Sequence, residues 1–150
     1  MEQRPRPIKP LNLAERTKRF YERVNTDRER ALEELPELFA SHVHFVNPVA
    51  DSKGINAFRG AWERAFKMYK VFTFKDCVLS GDDEHFTMTY VMSNGFGIGP
   101  VFSGRYISEY KTKDGKIVWM RDYFDVVGVM LAPLPPIYSL YKWVFRFLIA

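Results

Sequence analysis

The sequence predicts an α+β domain in which three helices precede a run of long antiparallel strands, with a further helix at the C-terminus. Apart from a short alternating stretch at residues 42–47, apolar residues recur at helical spacing up to residue 69 and alternate at strand spacing between residues 71 and 124. The pair Asp114-Gly115 separates the last two alternating stretches and is a strong hairpin signal. Helices that come before the strands, rather than alternating with them, are typical of the α+β class.

The helices are indicated by capping residues and by apolar periodicity. Asn12 and Glu15 form an Asn-x-x-Glu capping box, which predicts a first helix over residues 12–25. A shorter second helix is expected to end near Pro36. The third helix, over residues 57–69, carries an apolar stripe wide enough to lie on a sheet. That stripe consists of Phe58, Ala61, Trp62, Ala65, Phe66 and Tyr69.

The strands are indicated by alternation between turn signals. They are predicted over residues 42–47, 71–80, 84–93, 101–112 and 117–124. A two-residue turn at 114–115 would pair Lys113 with Lys116 and so place Ile107 opposite Asp122. Arg105 and Glu109 would then be the diagonal neighbours of Asp122 on the same face of the sheet.

The other face of this sheet is expected to be strongly aromatic. On the same register it carries Phe86, Met88, Tyr90, Met92, Tyr106, Ser108, Tyr110, Trp119, Arg121 and Tyr123. A face of this composition does not remain in water, and the helices are needed on the opposite side. The sequence therefore predicts a homodimer in which two copies of this outer face pair.

Asp122 is the strongest functional lead in the sequence. It stands in a strand whose two faces are both largely apolar, among Val118, Met120 and Phe124. A carboxylate in apolar surroundings needs either a partner or a chemical role. Pairing with Arg105 would lower the pKa of Asp122, and burial would raise it. Which effect is stronger decides whether Asp122 forms a structural ion pair or acts as a general acid or base.

Composition restricts the class of protein. The chain has 150 residues and 47% hydrophobic content, enough for one domain with a substantial core. Its net charge of +4 includes no long basic run, so nucleic acid is not an expected partner. The single cysteine, Cys77, excludes a disulfide within the chain, and no signal peptide is indicated, so a cytoplasmic location is predicted.

Three segments are predicted along the chain. Residues 1–11 form a flexible arm with three prolines, residues 12–132 form the domain, and residues 133–150 form an apolar helical tail. The tail contains Lys142 and Arg146 and is not expected to span a membrane. We expect it to pack on the domain or on a partner subunit, with contact to a membrane surface as the alternative.

The segments Phe-Val-Asn-Pro-Val, Gly-Ile-Asn-Ala-Phe-Arg-Gly and Arg-Asp-Tyr-Phe-Asp resemble the nuclear transport factor 2-like superfamily, and its SnoaL-like branch most closely. The resemblance covers roughly residues 12–132. It implies a cone of curved antiparallel sheet wrapped on the helices, a pocket inside the cone and dimers formed through the outer sheet face. This superfamily contains isomerases, cyclases, hydrolases and plain binding domains, so the fold alone does not decide the function.

Comparison with enzymes of this superfamily narrows the chemistry that the resemblance implies. Limonene epoxide hydrolases share the Arg-Asp-Tyr-Phe-Asp ending, and their first aspartate and asparagine match Asp122 and Asn47. Their tyrosine position is Phe45, and their arginine and second aspartate fall on Thr89 and Val91, so the full hydrolase site is not carried over. Ketosteroid isomerases have their base where this chain has Asn47 and their hydrogen-bonding acid where it has Ile107. Polyketide cyclases use a pocket aspartate as acid and base, which Asp122 matches.

The resemblance and the predicted register together define a candidate pocket for a mainly apolar small molecule. Asp122, Arg105 and Asn47 are the candidate catalytic residues. The candidate substrate-binding residues are Phe45, Thr87, Thr89, Val91, Ile107, Glu109, Met120 and Phe124. The glycine-rich loop at residues 94–100 is expected to form the pocket rim. No cofactor and no metal are expected, because His42 and His44 lack a third ligand. The alternative to an isomerase, cyclase or hydrolase is a non-catalytic ligand-binding or dimerisation domain.

Overall fold

The α+β prediction is confirmed by the computed structural model, which describes residues 11–149. The helices are α1 (Leu13–Val24), α2 (Arg28–Leu38), α3 (Ile55–Met68), α4 (Val126–Leu131) and α5 (Pro135–Ile149). The strands are β1 (Phe39–Asn47), β2 (Ala50–Lys53), β3 (Val71–Gly81), β4 (His85–Gly95), β5 (Phe102–Lys113) and β6 (Lys116–Phe124). Except for Leu11, the predicted N-terminal arm lies outside the described residues.

The start of α1 follows the sequence prediction. The Asn12 side chain accepts a hydrogen bond from the backbone N–H of Glu15, and the Glu15 side chain accepts one from the backbone N–H of Asn12, so the capping box is complete. Helix α2 continues through Pro36 for two further residues, to Leu38. The short helix α4 was not predicted. Its N-cap is Asp125, whose carboxylate accepts a hydrogen bond from the Gly128 N–H at 2.8 Å.

The six strands form one open, curved sheet in the order β2-β1-β6-β5-β4-β3. Every neighbouring pair is antiparallel except β1 and β6, which run parallel. The long strands β3 to β6 are thus antiparallel, as predicted, and β1 adds one parallel pair that the sequence did not indicate. The connection from β1 to β6 includes α3 and four strands, which gives the length that a parallel pair requires.

Helices α1, α2 and α3 cover the inner face of the sheet and bury an aromatic core. The Trp62 ring of α3 lies 5.3 Å from the Phe20 ring and 5.8 Å from the Tyr21 ring, both on α1. The Asn25 side chain both donates to and accepts from the Phe74 backbone, each at 2.7 Å, which fastens the end of α1 to β3. These contacts hold α1 and α3 over the inner face of the sheet, which is the face on which Asp122 lies.

The last hairpin forms at the predicted turn but contains a bulge that the sequence did not reveal. Lys113 pairs with Lys116, as expected for a two-residue turn. Thr112 then pairs with Ile117, whereas Lys111 pairs with Trp119, so Val118 is an extra residue in β6. Beyond this bulge the register differs by one residue from the prediction.

Because side chains alternate along a strand, this shift exchanges the faces of β4 and β5 relative to β6. Ser108, rather than Ile107, pairs with Asp122. The aromatic set of β4 and β5 that was predicted to face outward is on the inner face with Asp122, and Phe86, Met88, Tyr90, Tyr106, Ser108 and Tyr110 are buried. The residues predicted to share the face of Asp122 are on the outer face instead. These are Thr87, Thr89, Val91, Arg105, Ile107 and Glu109.

The C-terminal segment extends away from this core. None of the described residues of α5 is buried, and its main contact is with α4. Ile137, Leu140, Trp143, Phe147 and Leu148 are all exposed, so the expected packing of the tail on the domain is not seen. Within residues 11–149, no helix combines the length and apolar character needed to cross a membrane.

Candidate functional site

A cavity of about 400 Å³ lies between the inner face of the sheet and helices α1, α3 and α4. Apolar and aromatic side chains form most of its wall, including Phe45, Phe58, Trp62, Phe74, Met92, Phe102, Met120, Phe124, Val126 and Met130. The polar side chains on the wall are Asn47, Asn94 and Asp122, together with the phenols of Tyr21, Tyr69, Tyr90 and Tyr106. This size and composition are typical of a small-molecule site.

Helix α4 covers part of the cavity directly after β6 ends. Val126, Val129 and Met130 of this helix contribute to the wall. The approach of α4 to the sheet depends on Gly104, because a Cβ atom at that position would overlap a methyl group of Val129. The cavity is thus closed on one side by a short helix that a larger side chain at residue 104 would displace.

Asp122 is held in the cavity wall by a chain of hydroxyl groups. Ser108, its partner on β5, donates from Oγ to Asp122 Oδ1 at 2.5 Å. The Tyr90 hydroxyl lies 2.9 Å from Ser108 Oγ. Since the single hydroxyl proton of Ser108 is directed to the carboxylate, Tyr90 is the donor in this second bond. The carboxyl group therefore receives one aligned hydrogen bond and no positive charge from its neighbours on the sheet.

Burial in these apolar surroundings raises the pKa of Asp122 from 3.8 to about 7, and the hydrogen bond from Ser108 acts in the opposite direction. Burial also raises the pKa of Tyr106 to about 12, with a further contribution from Asp122. The pKa values of Tyr21 and Tyr90 are raised well above 10 by the same desolvation. At neutral pH these three phenols are therefore protonated donors, whereas Asp122 populates both of its charge states.

The cavity contains five of the residues that the sequence proposed for the site. Phe45, Asn47, Met120, Asp122 and Phe124 all line its wall. The Oδ1 atom of Asn47 accepts a hydrogen bond from the Val49 N–H at 2.9 Å, so this side chain also shapes the turn between β1 and β2. The six candidates on the outer face, Thr87, Thr89, Val91, Arg105, Ile107 and Glu109, are absent from the wall.

Arg105 does not accompany Asp122. Its side chain is exposed on the outer face, and no ion pair between the two appears among the salt bridges of residues 11–149. The predicted placement of Arg105 on the same face as Asp122 was wrong, because the bulge at Val118 moves Arg105 to the opposite side of the sheet. Of the two opposing influences on the pKa of Asp122, burial is the one that the structure retains.

Several polar residues of the site were not identified as candidates from the sequence. The sequence prediction placed Ser108 and Tyr90 on the outer face, although it grouped each of them correctly with the residues that share its face within the strand. Asn94 was included only as part of the glycine-rich loop, and its side chain lines the cavity together with Phe96 from the same loop. The loop therefore contributes to the rim, as expected.

Two other polar clusters lie outside the cavity. His44 Nε2 is 2.8 Å from Asp51 Oδ1 at the edge of the sheet. On the outer face, His85 Nε2 is 2.8 Å from Glu109 Oε1, and the Tyr123 hydroxyl donates to Glu109 Oε2 at 3.0 Å. In the described part of the chain, no group of three or more His, Cys, Asp or Glu residues has the proximity needed for a metal ion.

Solved structures with this fold come from several bacteria and share little sequence with this chain. A candidate polyketide cyclase from Pseudomonas putida is 15% identical with a TM-score of 0.65, covering 79% of this chain and 95% of its own. A nuclear transport factor 2-like protein of unknown function from Burkholderia pseudomallei is 14% identical with a TM-score of 0.68. The match covers 83% of this chain and 98% of that one.

A third similar structure is a hypothetical protein from Catenulispora acidiphila with a ketosteroid isomerase-like fold, solved in complex with trimethylamine. It is 18% identical with a TM-score of 0.63, and the match covers 75% of this chain and 87% of that one. At these identities the likeness concerns the fold alone, and it confirms the cone-like nuclear transport factor 2-like architecture.

Sequence comparison gives the family directly. No curated protein matches the chain. The family model of the SnoaL-like domain matches residues 17–120, which is most of the described domain and includes most of α1, all of α2 and α3, and the strands from β1 to β5. The chain belongs to the SnoaL-like domain family, as its sequence motifs indicated.

Proposed function

We propose that the cavity binds a mainly apolar small molecule and that Asp122 transfers a proton to or from it. The observation that carries this proposal is a carboxyl group with a pKa of about 7 in an apolar cavity, held by Ser108 rather than by a cation. An acid that titrates near the working pH both accepts and returns a proton efficiently. The family and the size of the cavity support the ligand class.

The reaction that this arrangement supports is proton transfer next to a carbonyl group, a step that isomerases and cyclases share. Ionised Asp122 would take a proton from the carbon beside the carbonyl, and the protonated acid would return it at the same or a neighbouring carbon. Hydrolysis by paired carboxylates has less support, since Asp122 is the one carboxyl among the described residues of the cavity wall. The neutral phenols of Tyr21 and Tyr106 are available to donate to an oxygen of the ligand.

Hydrogen–deuterium exchange tests the proposal without knowledge of the natural substrate. A set of apolar cyclic ketones is incubated with the protein in deuterated water, and deuterium at the carbon beside the carbonyl is followed by NMR. We expect exchange that rises with pH through an inflection near 7 and that falls by about 100-fold or more in Asp122→Asn. Glu109→Gln is the matched control, because it removes a carboxyl group from the outer face of the neighbouring strand.

The second candidate function is ligand binding without catalysis. The observation that favours it is the close hydrogen bond of Ser108 to Asp122, which is also what a purely structural polar group in a cavity wall needs. In that case the ketones would bind, as measured by calorimetry, and no exchange would exceed the rate in buffer. Exchange that is equal in the native protein and Asp122→Asn would contradict catalysis by this residue.

We also propose that the protein forms a homodimer through the outer sheet face. The support for this dimer is a row of exposed apolar side chains and not the aromatic set predicted from the sequence. Val78, Ile107 and Tyr123 stand in one row across that face and are 61%, 44% and 43% exposed. Charged residues such as Arg105 flank this row, as in many modest interfaces. Analytical ultracentrifugation of the native chain and of Ile107→Glu tests this, with a dimer expected only for the native chain.

The proposed location is the cytoplasm. A chain with a single, partly buried thiol at Cys77 suits a reducing compartment. Fractionation of cells that express the full chain, with separate analysis of the soluble and membrane fractions, tests this location.

A further inference from the structure

Helix α5 leaves eight large apolar side chains exposed. Trp143 and Phe147 are 64% and 77% exposed, and the described residues of this helix include no buried one. Its polar side chains form one narrow stripe, since Ser139, Lys142 and Arg146 follow the spacing i, i+3 and i+7. Apolar residues occupy the remainder of its circumference. A protein groove would cover one stripe of such a helix, whereas a lipid surface covers nearly all of it.

A second exposed apolar element lies at the rim of the cavity. Ile98 is 92% exposed and Phe96 is 51% exposed, in a loop with glycines at 95, 97 and 99. Phe96 also lines the cavity, as does Met130 of α4, the helix that contacts α5. The loop therefore adjoins the cavity through Phe96, and α5 adjoins it through α4. Two separate protruding elements of this kind fit a broad, deformable surface better than a single protein partner.

The charges around these elements indicate the sign of that surface. Residues 126–150 contain Lys142 and Arg146 and no acidic residue, and residues 94–104 carry no charge at all. The ammonium group of Lys142 lies 4.3 Å from the centre of the Tyr138 ring, so its stem runs along the helix, as in side chains that reach from an apolar layer to a polar one. Anionic headgroups complement this charge pattern, and a neutral or cationic surface does not.

The length of α5 decides how it would lie. Its 15 residues span about 22 Å at 1.5 Å per residue, which is shorter than the roughly 30 Å hydrocarbon core of a bilayer. Trp143, Tyr138 and Tyr141 are of the types that concentrate at the boundary between headgroups and acyl chains. A helix of this length and composition lies in the plane of the interface, with its cations toward the water.

We propose that α5 and the tip of the 95–99 loop dock on an anionic lipid surface, so that the cavity opens toward the membrane and takes up an apolar ligand dissolved in it. The nature of the ligand rests on the proposed function of the cavity, whereas the docking does not. An apolar molecule would then pass from the bilayer to the cavity past Phe96 and Met130 without crossing bulk water.

Vesicle binding of the full chain, in the absence of any ligand, tests the docking apart from the function of the cavity. The vesicles are phosphatidylcholine alone or a mixture with one third phosphatidylglycerol. We expect co-sedimentation with the mixture, a blue shift in Trp143 emission that Trp143→Phe removes, and weakening by salt. Lys142→Glu/Arg146→Glu should reduce binding about tenfold or more.

The matched control is Lys75→Glu/Lys113→Glu, which changes the net charge by the same amount at exposed positions away from α5 and the loop. This control should bind the anionic vesicles as strongly as the native chain does. Failure of the native chain to bind anionic vesicles would overturn the proposal, as would an equal loss in the control. The proposal would also be overturned if the native chain does not bind vesicles and forms a dimer that Phe147→Ser converts to a monomer. In that case α5 would be covered by a second copy of the chain.

A separate substitution in the loop tests whether the cavity mouth faces the lipid surface. Ile98→Ser should weaken vesicle binding by several-fold, because it removes the most exposed apolar side chain of the loop tip. Unchanged binding in Ile98→Ser, together with loss in the α5 variant, would overturn the placement of the cavity mouth at the lipid surface.

Discussion

Two carboxyl groups on neighbouring strands, Asp122 on β6 and Glu109 on β5, occupy opposite faces of one sheet and behave in opposite ways. Asp122 lies in an apolar cavity with a single donor, Ser108, and burial raises its pKa to about 7. Glu109 lies on the outer face, where hydrogen bonds with His85 and Tyr123 lower its pKa despite some desolvation. The comparison shows that the face a carboxylate occupies, and therefore the register of the strands, decides which of them is suited to transfer a proton.

The largest expected effect comes from removing the residue that sets this register. Deleting Val118 eliminates the bulge and would bring Ile107 opposite Asp122, moving the aromatic face of β4 and β5 away from the helices. The loss of core burial would exceed the 5–15 kcal/mol that stabilises a typical domain. We therefore expect no cooperative unfolding transition by circular dichroism.

Val118→Ala is the control for this deletion, because it shortens the side chain and keeps the extra residue. It should reduce the free energy of unfolding by about 1 kcal/mol and leave the transition cooperative. A deletion variant that folds and unfolds like the native chain would show that the strands find the same faces without the bulge.

The bulge also explains how far the sequence predicts this structure. Caps, apolar periodicity and the Asp114-Gly115 turn locate the long strands, the last hairpin and every described helix except α4. The extra residue leaves no signal, because Ile117, Val118, Trp119 and Met120 are all apolar and a change of phase among them alters no pattern. Register is specified by alternation only where one face is polar.

The candidate site was predicted in part for the same reason. The positions of Asp122, Met120 and Phe124 follow from alternation within β6 alone, and those of Phe45 and Asn47 from alternation within β1. The positions on β4 and β5 had to be derived across the hairpin, where the undetected bulge reversed them. Residues within one strand are therefore predictable here, and residues across the bulge are not.

The next largest effect concerns the ionisation of Asp122. Its pKa in the folded state is raised, so the folded state holds the proton more tightly than the unfolded state, and stability falls as the pH rises from about 3.8 to about 7. Asp122→Asn keeps the shape and removes the charge. We expect it to unfold like the native chain near pH 4 and to be more stable by about 2 to 4 kcal/mol at pH 8.

Chemical denaturation at pH 5, 6, 7 and 8 measures this difference. A variant that is less stable than the native chain at pH 8 would mean that ionised Asp122 is stabilised in the folded state, and the comparison with Glu109 would no longer hold. The same variant separates stability from catalysis, since the proposed exchange reaction should be lost while the free energy of unfolding increases.

A smaller effect is expected from the donor that Asp122 retains. Ser108→Ala removes the hydrogen bond that favours the ionised carboxylate, so the pKa of Asp122 should rise further and the pH profile of exchange should move to higher pH. It also leaves the buried Tyr90 hydroxyl without its acceptor, at a cost of about 1 to 3 kcal/mol. The double variant with Tyr90→Phe should recover part of that stability. A pH profile identical to that of the native chain would contradict the proton-holding role of Ser108.

The smallest effect is expected on the outer face. Glu109→Gln replaces a carboxylate whose pKa is lowered from 4.5, so the stability it contributes is present above that pH and is lost as the pH falls. Because the group is near solvent, the loss at pH 7 should be below about 0.5 kcal/mol, measured by chemical denaturation, and should diminish toward pH 4. The slope with pH is thus opposite to that of Asp122→Asn. A loss above about 2 kcal/mol, or a loss of exchange activity, would show that the two faces of the sheet are coupled, since Glu109 does not line the cavity.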